Sequence, residues 1–271
     1  MGKHPHRDPL PRLQPGEALG PGLGRVVRAC LLHAAGGPAA RPDEKIVHRA
    51  RQALKRARAV VRVAEELEVG GAVGARRRLT QLGRELSPLR DAAIVGQVGR
   101  ELAKRNQAEE QRAVAALPAS ARSVARARGW SAWQRRLRAE GARLQELDWG
   151  ELTTRDLERV LRRGTKRIRR CAKAARREKD IPSAHEWRKA VIILREQVRV
   201  LRPLLGSEAA HLQADLHRLA HRLGQAIDLH VFLIHVQGRS WPTNLRKGMK
   251  RLARRGKRER GRALRRALKD R

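Results

Sequence analysis

Hydrophobic positions recur along most of this chain at steps of three and four, the period of an α-helix, and nowhere with the alternation of a half-buried strand. In the stretch around His48 to Arg62 the apolar seam is Ala50, Leu54, Ala57, Val61 and Ala64. The opposite stripe is His48, Arg51, Lys55, Arg58 and Arg62. These five side chains project from one helix face over about 21 Å, a ladder of cations behind an apolar seam. A second stretch repeats the arrangement. Its seam is Trp187, Val191, Leu194, Val198, Leu201 and Leu205, and its ladder is His185, Arg188, Arg195, Arg199 and Arg202, with Ile192 standing where the first ladder has Lys55. A third ladder, Arg162, Lys166, Arg169, Lys173 and Arg176, lies opposite Leu157, Leu161, Ile168, Cys171 and Ala175.

The breakers between these periodic stretches predict an all-α chain. Residues 1–20 carry Pro5, Pro9, Pro11, Pro15, Gly16 and Gly20, which reads as a mobile tail. A short helix is expected near Leu23 to Ala35, stopped by Gly36, Gly37 and Pro38. Pro42, Asp43 and Glu44 then open the first ladder helix, which runs to Gly70 and Gly71. Leu79, Leu82, Leu86 and Leu89 mark the next helix, Ser87 and Pro88 break it, and a further helix runs from Pro88 to about Ala116. The tryptophan-containing stretch from Pro118 to Gly150 reads as a hinge. Leu152 to Lys179 carries the third ladder, and Ser183 to Glu186 has the S-x-x-E form of a capping box, which places His185 in the first turn of the second ladder helix. Helices over 212–223 and 227–236 follow, then a very basic one from about Asn244 to Lys269.

Shifting the chain by 137 residues lays His48 on His185 and, without a gap, Asp91 on Asp228. Arg51, Arg58, Arg62, Leu79, Leu82 and Leu86 are among the residues that fall on their own kind. The chain is therefore an internal duplication, with repeats at about 21–145 and 150–271 and a pseudo-two-fold axis between them. Whatever the ladder does is done twice across that axis.

Charge then narrows the function. The chain carries 63 Lys plus Arg against 27 Asp plus Glu, a formal net charge of +36. That exceeds what solubility requires and penalises a compact fold by self-repulsion, so a polyanionic partner is implied. With 41% hydrophobic residues the chain still has enough apolar surface for a core. Cys30 and Cys171 form no spaced framework, in keeping with a reducing cytoplasm. No apolar run approaches membrane-spanning length, and Arg25 and Arg28 interrupt any signal-peptide core. A nucleic-acid binder is an alternative on charge alone, but the chain has no Tyr and one Phe on which to stack bases. A phosphate-processing enzyme would need a carboxylate set for Mg²⁺ or a Gly-rich phosphate loop, and neither pattern is present. His217 and His221 sit at i and i+4 without H-E-x-x-H or a carboxylate cluster, so neither a metal site nor a cofactor is expected. Asp91 and Asp228 are expected to cap helices or to orient a ladder arginine.

The paired H-x-x-R-x-x-x-x-x-x-R stretches, with the Leu-rich helices that follow and end at Arg90-Asp91 and Ile227-Asp228, resemble the CHAD family, the conserved histidine α-helical domain. The resemblance runs from about residue 20 to the C-terminus. It implies two bundles of about four helices each, related by a pseudo-two-fold axis around a central basic cavity; that the protein is not an enzyme is expected from the missing phosphate loop and carboxylate set. It further implies binding of inorganic polyphosphate and localisation at cytoplasmic polyphosphate granules, with granule-associated proteins as possible partners. His48, Arg51, Lys55, Arg58 and Arg62 match the first motif, and His185, Arg188, Lys189, Arg195 and Arg199 the second. Arg162, Lys166, Arg169 and Lys173 of the third ladder are counted with them as candidate polyphosphate contacts. Ile192 and Ile227 depart from the pattern and predict weaker binding by the second half.

Overall fold

The computed structural model describes residues 10–36, 42–103, 108–117 and 129–269. The described residues form ten helices and no strand: α1 (Leu19–Ala35), α2 (Glu44–Glu66), α3 (Ala72–Glu85), α4 (Ser87–Ala103), α5 (Ala108–Ala115), α6 (Trp130–Gln145), α7 (Thr154–Glu178), α8 (Ile181–Leu205), α9 (Glu208–Gln237) and α10 (Thr243–Lys269). The shift of 137 residues brings α1 onto α7, α2 onto α8, and α3 with α4 onto the single helix α9. Leu86, Ser87 and Pro88 end α3 and restart the chain as α4. The second repeat has Leu223, Gly224 and Gln225 there, and its helix continues.

One bundle is α1, α2, α3 and α6, and the other is α7, α8, α9 and α10. The expected seams build them. Ala50, Leu54, Ala57, Val61 and Ala64 are buried in the first core, while Trp187, Val191, Leu194 and Val198 are buried in the second. Helices α2 and α8 pack directly on each other and join the halves. Close to that junction Arg56, fully buried, donates from Nε to Glu196 Oε2 at 3.1 Å, with Nη2 also at 3.1 Å. Gln197 Nε2 donates to the Ala59 carbonyl at 3.2 Å.

Several expectations are corrected. Residues 1–9 of the expected tail lie outside the described residues, but Leu10 and Leu13 are buried in the first core. Leu13 N–H also donates to the Val200 carbonyl at 3.1 Å. Helix α1 begins at Leu19, and its glycines serve as a seat for Trp149. A Cβ on Gly20 would lie 2.5 Å from the Gly150 carbonyl oxygen, and one on Gly24 would lie 2.9 Å from Trp149 Nε1. The stretch read as a hinge contains α6, whose Trp130, Trp133, Leu137 and Leu144 belong to the first core; its residues 118–128 lie outside the described residues. Helices α4 and α5, though within the first repeat, pack against α9 and α10 around Val95, Phe232, Met249 and Leu252. Finally, α8 starts four residues before His185. Asp180 is its N-cap, accepting from Ser183 N–H at 2.9 Å, so Ser183 is inside the helix and His185 lies past the turn whose N–H groups are open to an anion.

Candidate functional site

Helix α2 turns its seam into the first core, and α8 turns Trp187 to Val198 into the second while its Leu201 reaches the first, so the inner ladder residues Arg51, Lys55, Arg188 and Arg195 act on one another along the cleft where α2 and α8 meet. Helices α4 and α9 pack beside it and add Arg90, Asp91 and Asp228. Matching residues meet across the axis: Arg51 feels the charge of Arg188, its counterpart in the other repeat, as well as that of Arg90. Burial and these neighbours hold the Arg51 guanidinium down to about 10. Lys55 is the most perturbed. Burial comes first, then the charges of Arg188, Arg51, Arg90 and Arg195, and together they push its ammonium from 10.5 down to about 7. Arg58 and Arg188 are also lowered by burial, Arg58 further by Arg76 and Arg84, and Arg188 further by Arg90 and Arg195 against the opposing pull of Asp228.

Among the described residues, Arg51, Lys55, Arg58 and Arg188 form no ion pair with any carboxylate. They are half-buried cations in like-charged company. Two of them rest on glycines. A Cβ on Gly224 of α9 would fall 3.0 Å from Arg188 Nη2, and one on Gly83 of α3 would fall 3.5 Å from Arg58 Nη1. The guanidinium groups therefore lie over bare helix backbone.

The remaining predicted residues divide. His48 and His185 are exposed; each is lowered below the usual histidine range first by burial of the ring and then by its cationic neighbours, Lys55 and Arg51 for His48, Lys189 and Arg188 for His185. Arg62 is spent on its own helix, bonding Glu66 at 3.1 Å and lying 3.5 Å from Glu65. Arg195 donates to Glu196 Oε1 at 2.7 and 3.1 Å, and Arg199 donates to the same oxygen at 3.4 Å. Lys189 is exposed and paired with Glu186. Arg162, Lys166, Arg169 and Lys173 are all exposed on α7, and none of them is among the charges acting on the cleft residues. These four form a solvated face, while Arg176, the last rung, lies over the Trp187 ring at 5.6 Å and donates to the Leu268 carbonyl at 3.1 Å.

Three groups were not among the candidate contacts. Arg90 spans the repeats, with Nη2 donating to Asp228 Oδ1 at 2.8 Å and Nη1 to Asp91 Oδ1 at 3.3 Å. Both aspartates lie inside helices, so they orient an arginine and do not cap. Glu196 is buried, which by itself pushes its carboxyl up, but Arg195, Arg56 and Arg199 outweigh burial and hold it below its usual range. Its signal was present in the alignment of the repeats, as an acid where the first repeat has Ala59. Arg84 and Arg76 of α3 lie beside Arg58 and had no ladder spacing to mark them.

The fold and the cleft define a class: an all-α protein made of two duplicated bundles, with cations from both repeats gathered at their junction. The CHAD domain model matches residues 25–237 and again 159–271, and the chain belongs to the CHAD domain family. Among solved structures it is similar to the CHAD domain from the plant Ricinus communis, at 21% identity and a TM-score of 0.61, covering 97% of this chain and 91% of that one. No curated protein matches. Among the described residues no helix is long and apolar enough to cross a membrane.

Proposed function

We propose that this protein binds inorganic polyphosphate in the cleft between α2 and α8, without chemistry of its own, and thereby docks on polyphosphate granules. The observation that carries this is Lys55, half-buried among Arg51, Arg90, Arg188 and Arg195 with no carboxylate partner. Such a group costs stability until an anion of matching shape arrives, and a chain of phosphates supplies several negative charges along one track.

Polyphosphate fits better than nucleic acid because every aromatic ring is committed elsewhere. Trp130, Trp133, Trp149, Trp187 and Phe232 are buried in the cores, and Trp241 donates to the Val236 carbonyl at 2.9 Å. Trp241 lies with Arg239 and Arg246 at the α9–α10 connection, so none of the six rings stands open beside Arg51, Lys55 and Arg188 for a base to stack on. The carboxylates of the cleft, Asp91, Asp228 and Glu196, are paired with Arg90 and Arg195, and the side chains left without a carboxylate, Arg51, Lys55, Arg58 and Arg188, are all cations, which suits a ligand that is all phosphate.

The direct test is a titration with long-chain polyphosphate of the wild type and of the variant carrying Arg51→Ala and Arg58→Ala. Affinity should fall by roughly tenfold or more, and the slope of log affinity against log salt should flatten by about one unit for each phosphate no longer neutralised. Unchanged affinity and slope, with helical content intact, would show that the cleft does not hold the ligand.

A further inference from the structure

The connection between α9 and α10 borders a cavity of about 550 Å³ that shares no residue with the cleft. Its apolar part is Val236, Met249 and Ala253, which belong to the core that α4, α9 and α10 build around Phe232. Trp241 packs against the same core and is only half-buried, so the rest of its ring lines the cavity. Its Nε1 donates to the Val236 carbonyl at 2.9 Å, which pins the indole at the end of α9. Among the described residues no second ring and no guanidinium stacks on it.

The remaining wall is cationic. Arg239, Arg246, Lys250 and Arg254 line the cavity, all four are exposed, and no acidic residue stands among them. Helix α10 sorts its cations by face. Lys247 and Arg251 lie 3.5 and 3.1 Å from the Glu109 carboxylate, and Arg255 lies 3.6 Å from that of Glu110, so one stripe is neutralised against α5. The neighbouring stripe, Arg246, Lys250 and Arg254 at steps of four, borders the cavity, and among the described residues none of its members is paired with a carboxylate. Gln237 and Ser240 add neutral donors and acceptors. A basic face that meets only water has neither an apolar floor nor a pinned indole.

We infer that this cavity binds a nucleoside polyphosphate, with the base on the Trp241 indole and the phosphates on Arg246, Lys250, Arg254 and Arg239. Stacking and charge-assisted hydrogen bonds are the two interactions that such a ligand needs, and here they adjoin. The volume falls within the roughly 300–1,000 Å³ of small-ligand sites. A single ring in a single cavity takes one base, whereas a nucleic-acid strand stacks successive bases on successive rings, and the other five rings are buried in the cores. The site is independent of polyphosphate binding in the cleft.

The test is a titration with adenosine triphosphate in EDTA at physiological salt, followed by calorimetry and by tryptophan emission, with tripolyphosphate as the ligand that lacks a base. Adenosine triphosphate should quench the wild type. Trp241→Leu should abolish the quenching and weaken binding by about five- to a hundredfold while leaving tripolyphosphate unchanged, and Trp241→Phe should keep most of the affinity. Arg246→Gln with Arg254→Gln should weaken adenosine triphosphate by about tenfold, and Arg51→Ala with Arg58→Ala should leave it unchanged. Arg246 and Arg254 are exposed and outside the cores, so their double variant carries the test if Trp241→Leu loses helical content. No binding of adenosine triphosphate, equal affinity in wild type and a folded Trp241→Leu, or binding that follows Arg51 and Arg58 in place of Arg246 and Arg254 would overturn the inference. A short single-stranded oligonucleotide that binds far more tightly than adenosine triphosphate, with the same dependence on Trp241, would overturn it in favour of a strand.

Discussion

At the scale of single residues, the chemistry of the cleft turns on Lys55. Below about pH 7 it is charged in the folded and unfolded chain alike, and the folded protein bears the whole cost of the crowded ammonium. Between about 7 and 10.5 the unfolded chain holds the proton while the folded chain has released it, so the ligand-free protein gains stability from this group as pH rises through that window. Ligand binding has the opposite sign, because a phosphate restores the proton. Affinity for polyphosphate should therefore fall as pH rises from 7 to 10, with proton uptake measurable by calorimetry in buffers of different ionisation enthalpy. Lys55→Met separates the two effects. It should raise the melting temperature of the free protein at pH 6.5 by roughly 2–4 °C for each kcal/mol of relieved burial, weaken polyphosphate binding, and abolish the proton uptake. Loss of stability together with loss of binding would show that Lys55 is a packing residue. The depressed histidines add a second window: His48 and His185 should strengthen binding as pH drops through and below the usual histidine range, and the pair His48→Gln with His185→Gln should remove that gain.

At the scale of helices, two glycines separate structural from functional contacts. A methyl group on Gly248 of α10 would lie 2.6 Å from the Glu109 carbonyl oxygen and 3.0 Å from Ala113 Cβ, so Gly248→Ala forces α5 and α10 apart and should cost about 1–3 kcal/mol in thermal or denaturant unfolding. On Gly224 of α9 the same methyl meets only the flexible guanidinium of Arg188. Gly224→Ala should leave unfolding nearly unchanged and weaken polyphosphate binding several-fold; the reverse pattern in the two variants would refute these assignments. The helices and their seams were legible in the sequence because the 3.6-residue period separates Ala50, Leu54, Ala57 and Val61 cleanly from His48, Arg51, Lys55 and Arg58. The duplication exposed α8 for the same reason. Other features depended on partners distant in the chain. The burial of Arg56 is set by Glu196, the path of α4 and α5 by Phe232 and Met249, and the seating of Gly20 and Gly24 by Trp149. Local pattern also misplaced the start of α8, since Asp180 competes with Ser183 for the same cap and stands first in the chain. Spacing alone made the α7 ladder look like the other two, because period reports that residues share a face and not what that face meets.

At the scale of the whole molecule, a net charge of +36 is carried by a fold whose two halves meet at a cluster of cations. Repulsion across that junction should make the ligand-free protein sensitive to ionic strength, its melting temperature rising with moderate salt and rising further with polyphosphate, which binds the native state by mass action. A melt indifferent to both would place the charge on dispersed, solvated surface. The central claim is that a shaped cleft, and not bulk charge, selects the ligand. It is tested most directly by competition between long-chain polyphosphate and labelled duplex DNA for the wild-type protein, at equal phosphate concentration and in salt high enough to suppress loose electrostatic binding. Polyphosphate should displace the DNA, and should no longer do so efficiently when Arg51 and Arg58 are replaced by Ala; DNA that instead displaces polyphosphate from the wild type would contradict the account.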